Sequence, residues 1–314
     1  MKDRRSFILN SLCAASGMIL STAGKNTWAE NNIVRFGITS QRPATITRER
    51  WAEIGNYLST SLNCKVEIVP IPISHVYRHV AENSVDFVLA NPNETMLLKY
   101  KQNAKILASL NGMQGPLFGG VIVVKKSSEI KKIEELNQKS VVALGQQSAG
   151  GYLFQIHLMA EKGLYPHRQY GVVMADTQDE ALHILESGKV SAAFIRTGVL
   201  ESMAREGKIQ PDEYVVLAER KDTTFQLRHS TELYPEHYVL VMPHVSKEAT
   251  ANFKTALLKL APSDAAAQKA NIKGFIEPLS IASLENVMRP LKVAPFEQQN
   301  QANNKQAGSA VLID

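Results

Sequence analysis

Residues 141–163 read "VVALGQQSAGGYLFQIHLMAEKG", and the prediction of the fold starts from this stretch. An apolar run ends at Leu144, a polar turn with three glycines follows over 145–151, and apolar residues then recur at helical spacing from Leu153. This order predicts a strand, a loop and the N-terminus of a helix, which presents free backbone N–H groups to an anion. The loop lacks the lysine of a GxxxxGK[ST] motif and does not read GxGxxG, so neither nucleotide-binding pattern is present.

The same alternation of strands and helices continues on both sides of this stretch. Apolar runs such as 33–38 ("IVRFGI") and 85–90 ("VDFVLA") predict strands, and residues 46–63 carry an apolar stripe at helical spacing that includes Trp51. A helix is also predicted over 127–138 ("SSEIKKIEELNQ"). Near-continuous apolar strands are typical of sheets that helices cover on both faces. We therefore predict α/β domains with mainly parallel sheets.

Two segments of the chain resemble each other. Residues 80–91 ("VAENSVDFVLAN") and 184–196 ("ILESGKVSAAFIR") both run from a helix through a turn and a buried strand to a polar residue, and aligning the strands puts Asn91 opposite Arg196. Ligands of open α/β sheets lie beyond the carboxyl ends of the strands. The pattern favours two domains that face each other across a ligand cleft. The alternative is two unrelated strand–helix units with polar residues in ordinary turns.

The two ends of the chain are predicted to lie outside the folded part. Residues 1–29 begin "MKDRRSFIL", in which paired arginines resemble a twin-arginine export signal, and "NTWAE" offers a cleavage site after Ala29. An ordinary secretory signal is the alternative. Leu12 precedes Cys13, so a lipid anchor is not expected. The tail over 295–314 is rich in Gln and Asn without an apolar period, and this composition predicts disorder.

Charge and cysteine content exclude several classes of protein. The formal charge is +5, but residues 1–29 hold +3 of it, which leaves about +2 for the remaining 285 or so residues. No Lys/Arg cluster is interleaved with aromatic residues, so nucleic acid is not an expected partner. Only Cys64 remains after cleavage, so the exported chain cannot form an internal disulfide and must be held by its core. The remaining length suggests two domains.

Five stretches carry a resemblance to a known family: "VDFVLANP", "SAGGYL", "VSAAFIRTGVLESMAREGKI", "HSTELYPE" and "FIEPLSIASLENVMRPLKVAPFE". With them the chain resembles the periplasmic phosphate/phosphite/phosphonate-binding family of ABC-transporter solute-binding proteins. Within this family it is most similar to the periplasmic sensory domain of tetrathionate-type sensor histidine kinases. The resemblance spans about residues 33–297.

The resemblance implies a type II periplasmic-binding-protein-like fold, in which two α/β lobes are joined by two crossing strands around a ligand cleft. Lobe 1 would comprise 30–117 and 238–294, and lobe 2 would comprise 118–237. Long strands are expected at the crossings, near 118–124 and 237–243.

One loop departs from the pattern of the phosphonate binders. In those proteins the loop that matches "SAGGY" carries several hydroxyl side chains that bond the phosphonate oxygens. Here Ala149 and Gly150 replace two of them, and only Ser148 remains. The sensor-like members share the hydroxyl-poor loop and the arginine before threonine at the strand end, Arg196-Thr197 in this chain. The identity of the ligand is therefore open.

The loop and the strand ends supply the candidate ligand-binding residues. Gly150 and Gly151 would let an anion approach the backbone closely, because they lack a Cβ atom. Ser148 would contact the ligand or cap the helix, Tyr152 would cover the ligand or pack, and Gln147 is a weaker candidate.

Arg196 suits a bidentate oxyanion, with a salt bridge to an acid such as Glu201 as its alternative role. Its neighbour Thr197 would contact the ligand or cap the next helix. At the other strand end, Asn91 or Asn93 would contact the ligand or cap a helix that Pro92 opens.

Four further residues complete the set of candidates. Arg42 would lie at the mouth of the cleft or in solvent, and Thr177 would supply a pocket hydroxyl or a helix cap. His229 would line the pocket or, as the favoured alternative, brace the hinge. Cys64 would be an ordinary buried thiol or, less favoured, a soft ligand.

These residues point to a binding protein rather than an enzyme. No compact metal-ligand set, GxSxG motif or ordered nucleophile–base pair occurs, so no metal, no cofactor and no catalytic residue are expected. The expected function is a periplasmic solute-binding protein that captures a small phosphorus or sulfur oxyanion and presents it to an ABC permease. The alternative is a stand-alone sensor that regulates a separate membrane histidine kinase. Two less favoured hypotheses are catalysis by Cys64 or a histidine, and an adaptor without a small ligand.

Overall fold

The structure of the protein is a computed structural model that describes residues 33–40, 43–72 and 75–297. The strands in these ranges are β1 (Ile33–Ser40), β2 (Lys65–Pro72), β3 (Phe87–Ala90), β4 (Lys105–Gly112), β5 (Leu117–Phe118), β6 (Gly120–Lys125), β7 (Ser140–Ala143), β8 (Gly171–Met174), β9 (Ala192–Arg196), β10 (Tyr214–Val216), β11 (Tyr234–Pro235), β12 (Tyr238–Val241) and β13 (Ile272–Ile276). The α-helices are α1 (Ala44–Leu62), α2 (Val76–Ala81), α3 (Pro92–Lys101), α4 (Phe154–Glu161), α5 (Gln178–Glu186), α6 (Val199–Arg205), α7 (Lys247–Lys259), α8 (Ala265–Ala270) and α9 (Ala282–Met288). A π-helical turn, Ala149–Leu153, directly precedes α4.

The strands form two large sheets and one short ribbon. The first sheet has the order β13-β4-β12-β3-β1-β2, and the second has the order β10-β6-β9-β7-β8. The ribbon pairs β5 with β11 in antiparallel fashion, with Tyr234 opposite Phe118. The chain thus passes between the sheets along two adjacent crossing segments, which confirms the predicted two-lobed α/β architecture. The exact lobe boundaries stay a prediction.

The prediction of mainly parallel sheets is wrong, because both sheets are mixed. Pairs within strand–helix–strand units are parallel: β1 with β2 and β3, and β7 with β8 and β9. The strands that follow a crossing run the other way, with β6 antiparallel to β9 and β12 antiparallel to β3 and β4. The carboxyl ends of the parallel strands face the cleft, so a strand that enters from the other lobe starts there and runs against them.

Two predicted elements have a different form. The expected helix over 127–138 is replaced by two 3₁₀ turns, Lys126–Ser128 and Ile133–Leu136. Its apolar residues are still buried, but Glu129 adopts a left-handed conformation (φ 59°) that ends the first turn. The expected long strand of the first crossing is interrupted at Gly119, and the expected strand of the second crossing is shorter than predicted, since β12 spans only Tyr238–Val241.

The hydrophobic core runs through the crossings. One cluster of buried side chains lies between the first sheet and α1, α7 and α8, and another lies between the second sheet and α5 and α6. A third cluster extends from one lobe to the other and includes Phe118, Phe154 and Tyr234. The rings of Phe154 and Tyr234 stack with centroids 3.8 Å apart. The hinge is therefore part of the core. In the described ranges no helix combines the length and apolar character needed to cross a membrane.

Candidate ligand-binding cleft

A cleft of about 510 Å³ lies between the two large sheets. Its lobe 1 wall comes from the end of β1, the first turns of α1 and the end of β4. Its floor comes from the crossing segments, and its lobe 2 wall comes from the end of β9 and the start of α6. The polar and aromatic side chains of this lining include Thr39, Ser40, Thr47, Arg50, Trp51, Gln114, Phe118, Arg196, Thr197, Ser202, Glu236, His237 and Asn271. The cleft combines apolar walls with a few charged groups, as small-molecule sites commonly do.

Arg196 reaches this cleft from the last residue of β9. Its backbone N–H donates to Oε1 of Gln178 at 3.0 Å, which fixes the strand end against the start of α5. Its guanidinium lies 5.0 Å from the centroid of the Phe118 ring and donates through Nη2 to Oε1 of Glu236 at 2.8 Å. The predicted alternative partner, Glu201, is engaged elsewhere, since its carboxylate accepts a bond from the backbone N–H of Arg228 at 2.9 Å. The salt bridge therefore forms with Glu236.

Glu236 and His237 are cleft residues that the sequence reasoning missed. They lie between β11 and β12, in the second crossing, and line the cleft next to Arg196. Burial alone would raise the pKa of Glu236, but the positive charges of Arg196 and Arg50 and the nearby His237 outweigh it and hold this pKa below its usual value. Burial lowers the pKa of His237. The positive charges of Arg196 and Arg50 lower this pKa further, and the negative charge of Glu236 only partly offsets these effects. At neutral pH the imidazole is thus uncharged, and the cleft carries two guanidinium groups against one carboxylate.

Arg50 is the second cationic residue of the lining and comes from α1. Its Nε donates to the carbonyl oxygen of Ala270 at 2.8 Å, and its guanidinium lies 5.5 Å from the centroid of the Trp51 ring. The sequence pattern identifies α1 only as an amphipathic helix. Arg50 precedes the buried Trp51, and only the packing of α1 against α8 shows that this arginine borders the cleft.

Thr197 lines the cleft, but its hydroxyl and its backbone N–H bond to the first crossing segment. Its hydroxyl accepts a hydrogen bond from the backbone N–H of Gly119 at 3.2 Å, and its own N–H donates to the Gly119 carbonyl at 3.0 Å. The residue is buried. These bonds tie the end of β9 to the first crossing segment, and the capping alternative does not apply because Gly198 occupies the N-cap position of α6.

The glycine loop lies behind the wall of the cleft. Gly150, Gly151 and Tyr152 are buried within the π-helical turn, and Ser148 precedes it without capping it through its side chain. A Cβ atom at Gly150 would stand 2.8 Å from the Phe118 ring and 3.0 Å from Cβ of Arg196. The loop therefore supports Arg196 directly, and burial raises the pKa of the Tyr152 hydroxyl. None of these four residues lines the cleft itself.

The N-terminus of α3 faces this loop from the other lobe. Asn91 caps α3, with Oδ1 accepting bonds from the N–H groups of Asn93 and Glu94 at 3.0 and 3.3 Å. The side-chain amide of Asn93 donates to the carbonyl oxygen of Gln147. The structure thus brings Asn91, Asn93, Gln147 and Ser148 together where lobe 1 touches lobe 2.

Three described candidates lie away from this contact. Thr177 caps α5, with its hydroxyl accepting from the N–H of Glu180 at 3.1 Å. His229 is buried, shares a hydrogen bond with the carbonyl oxygen of Leu227 at 3.0 Å and does not line the cleft, in agreement with a structural role. Cys64 packs at the edge of the lobe 1 core, and burial raises the pKa of its thiol. Arg42 lies outside the described residues.

Comparison with known families and curated proteins identifies relatives over most of the chain. The family described as "ABC transporter, phosphonate, periplasmic substrate-binding protein" matches residues 36–280. The tetrathionate sensor histidine kinase TtrS of Salmonella typhimurium is 27% identical over 296 residues, which cover 92% of this chain and 48% of that protein. The chain thus spans about half the length of this curated relative.

Solved structures of two bacterial proteins share the fold. XAC2383 from Xanthomonas citri, bound to ATP, aligns with a TM-score of 0.66 and 15% identity over 82% of this chain and 95% of its own. PhnD1 from Prochlorococcus marinus, in complex with methylphosphonate, aligns with a TM-score of 0.63 and 14% identity over 83% of this chain and 98% of its own. At this level of identity the likeness supports the two-lobed fold, and it does not identify the ligand.

Proposed function

This chain belongs to the family of periplasmic substrate-binding proteins of phosphonate ABC transporters, and from this membership we propose that it captures a small oxyanion in the cleft and presents it to an ABC permease. The observation that carries the proposal is the charge pattern of the cleft. Arg196 and Arg50 both line it, and Glu236 is the carboxylate set against them among the described lining residues. A guanidinium on the cleft wall can form paired hydrogen bonds with an oxyanion. The ligand would contact both lobes and so favour their closed arrangement.

The ligand class extends from phosphorus to sulfur oxyanions. The family and the methylphosphonate complex of PhnD1 support a phosphonate or phosphate. The hydroxyl-poor loop and the similarity to a tetrathionate sensor support a sulfur oxyanion such as sulfate, thiosulfate or tetrathionate. Arg196 and Arg50 stand on opposite lobes of the cleft, an arrangement that suits a ligand with negative charge at both ends.

The proposed contacts follow from the positions of the candidates. Arg196 is the principal anion-binding residue, and Thr197 holds the strand end that carries it. The N-terminus of α3, with Asn91 and Asn93, and the loop at Gln147 and Ser148 form the lip where the lobes meet. Gly150, Gly151 and Tyr152 lie buried behind this lip, and Gly150 packs against Arg196. Thr177 and Arg42 are the remaining predicted contacts.

The proposal places the mature protein in the periplasm, with the signal removed near Ala29, and assigns it binding without catalysis. The raised pKa of the Cys64 thiol supports the second point, because a nucleophilic cysteine needs a lowered one. A second candidate function is a stand-alone sensor that regulates a membrane histidine kinase. The similarity to the tetrathionate sensor, which covers 92% of this chain, favours it.

Ligand binding is tested by thermal unfolding and calorimetry of the purified mature chain against methylphosphonate, phosphate, sulfate, thiosulfate and tetrathionate. We expect at least one of them to raise the melting temperature, since a ligand that binds only the folded state stabilises it. Arg196→Ala should abolish this shift while the ligand-free protein still folds. Arg205→Ala removes an exposed arginine from the end of α6 and serves as the matched control.

A full ligand response in Arg196→Ala would remove this residue from the site. The absence of a response to every anion in the wild-type protein would contradict the proposed function. In-cell cross-linking of the protein then separates transport from sensing, because the captured membrane partner is either a permease or a histidine kinase.

A further inference from the structure

The carboxylate of Glu236 pairs with the guanidinium of Arg196, the group that is proposed to bind the anionic ligand. Its Oε1 lies 2.8 Å from Nη2 of Arg196, on the face of the cleft that both side chains line. The same oxygen lies 3.7 Å from Nδ1 of His237, and this ring nitrogen has no hydrogen-bond partner in the described structure. An anion that reached Arg196 would meet a guanidinium already paired with a carboxylate.

The backbone around Glu236 is tied to both the hinge and the first sheet. The N–H of Glu236 donates to the carbonyl oxygen of Pro116, next to β5 in the first crossing, at 3.0 Å. The carbonyl of His237 accepts from the N–H of Leu110 in β4 at 3.0 Å. The side chain of Glu236 therefore connects lobe 2, through Arg196, to a backbone segment anchored in the crossing and in lobe 1.

We propose that Glu236 is an internal substitute for the ligand, so that binding exchanges its carboxylate for an oxyanion at Arg196 while His237 takes up a proton. This inference rests on the proposed function and adds a mechanism to it. No covalent bond forms or breaks. The Glu236–Arg196 ion pair separates, the ligand pairs with Arg196, and one proton from solvent binds Nδ1 of His237 to form an ion pair with Glu236.

The surrounding charges explain why a proton accompanies the exchange. The charged groups that act on Glu236 and His237 are Arg196 from β9 and Arg50 from α1. With Arg196 engaged by Glu236, the positive charges and burial keep the imidazole neutral. Once the ligand neutralises Arg196, less positive charge opposes protonation of His237, and the adjacent displaced carboxylate favours the protonated imidazole.

The exchange also selects for the charge of the ligand. A monoanion only replaces one negative charge at Arg196 by another. A dianion additionally interacts with Arg50 and with the newly protonated His237. The cleft should therefore prefer small dianionic oxyanions to monoanions of the same size, so sulfate or thiosulfate should bind better than methanesulfonate.

Calorimetry with sulfate, thiosulfate and tetrathionate tests the exchange, because these anions keep their charge between about pH 6 and pH 8 and any pH dependence comes from the protein. Titrations in two buffers of different ionisation enthalpy count the protons. We expect the wild-type protein to take up about one proton per ligand near neutral pH and to lose affinity as the pH rises, by up to about tenfold per pH unit. Glu236→Gln should bind about tenfold more tightly at pH 8, without proton uptake.

Glu232→Gln is the matched control, since Glu232 is an exposed glutamate of the same crossing segment and does not line the cleft. It should behave like the wild-type protein. Binding without proton uptake in the wild-type protein overturns the inference even if Glu236→Gln fails to fold, and so does a Glu236→Gln variant that binds no more tightly. In either case, binding that Arg196→Ala abolishes leaves the proposed function intact. If no anion binds either protein, both proposals fail.

Discussion

Glu94 is a carboxyl group that the fold buries without full hydrogen bonding. It stands at the third position of α3, after Asn91 and Pro92, and only 3% of its surface is exposed. Its Oε2 has no hydrogen-bond partner in the described structure. Burial raises its pKa to about 7, against the opposing effect of a hydrogen bond with its own backbone N–H. The side chain therefore stays protonated in mildly acidic solution.

The stability of the protein should depend on the ionisation of Glu94. In the unfolded chain this carboxyl ionises near 4.5, so folding retains a proton between this pH and about 7. The stabilisation is complete below the lower value and is lost as the pH rises through the higher one, with a total of about 3 kcal/mol. Urea unfolding at about pH 5 and pH 8 should show this loss in the wild-type protein and not in Glu94→Gln.

Glu180→Gln gives the matched comparison, because Glu180 holds the third position of α5 at an exposed site. It should keep the pH dependence of the wild-type protein. If Glu94→Gln also keeps the pH dependence, the carboxyl group of Glu94 is ionised in the folded protein and another interaction stabilises its buried charge.

Some residues of the site can be predicted from the sequence and others cannot. Arg196 was predictable because a charged side chain that directly follows an apolar strand lies at the strand end, where ligands bind. Its partner Glu236 is 40 residues away in the chain and lies just before a predicted strand, so nothing local pairs the two. The caps Asn91 and Thr177 were open alternatives, and the structure shows the capping bonds.

Among the elements, the π-helical turn over Ala149–Leu153 differs most from the expected helix start. The extra width of the turn brings Gly150 against Phe118 and Arg196, while the helix resumes at Phe154. Apolar spacing predicted a helix here but could not show a change of helical type, because the same residues are buried in both forms. The direction of the strands could not be predicted either, because a buried strand has the same apolar pattern in parallel and antiparallel pairs.

Gly150→Ala should disturb this element and the arginine that it supports. The added Cβ would lie 2.8 Å from the ring of Phe118, closer than packed carbon atoms approach, so the turn or the ring must move. We expect a loss of about 1–3 kcal/mol in the free energy of unfolding and weaker anion binding. Gly145→Ala lies in the same loop, where a Cβ meets nothing within 4 Å, and should be close to neutral. Equal stability of the two variants in urea unfolding would contradict this packing argument.

At the scale of the whole molecule, two kinds of contact join the lobes. The core continues through the crossings by way of Phe118, Phe154 and Tyr234, which makes the hinge a fixed axis. On the cleft side, the Asn93 amide donates to the Gln147 carbonyl across the interlobe contact. The two-lobed plan followed from the alternation of elements and the internal resemblance. The contact that holds the lips together depends on a loop conformation that apolar periodicity does not encode.

Asn93→Ala should shift the lobes towards a more open arrangement. The variant removes the donor to Gln147 and keeps the Asn91 cap, the loop and the Arg196–Glu236 pair. A net hydrogen bond of about 1 kcal/mol corresponds to a roughly threefold to tenfold loss of ligand affinity, provided that the ligand binds the closed arrangement. The radius of gyration of the ligand-free variant in small-angle scattering should exceed that of the wild-type protein, and a saturating ligand should restore the compact value.

Asn286→Ala, at an exposed position of α9, is the control and should change neither the affinity nor the radius of gyration. Equal compactness and affinity in Asn93→Ala would mean that the contact does not contribute to closure, and that the Arg196–Glu236 pair and the hinge core hold the lobes together without it.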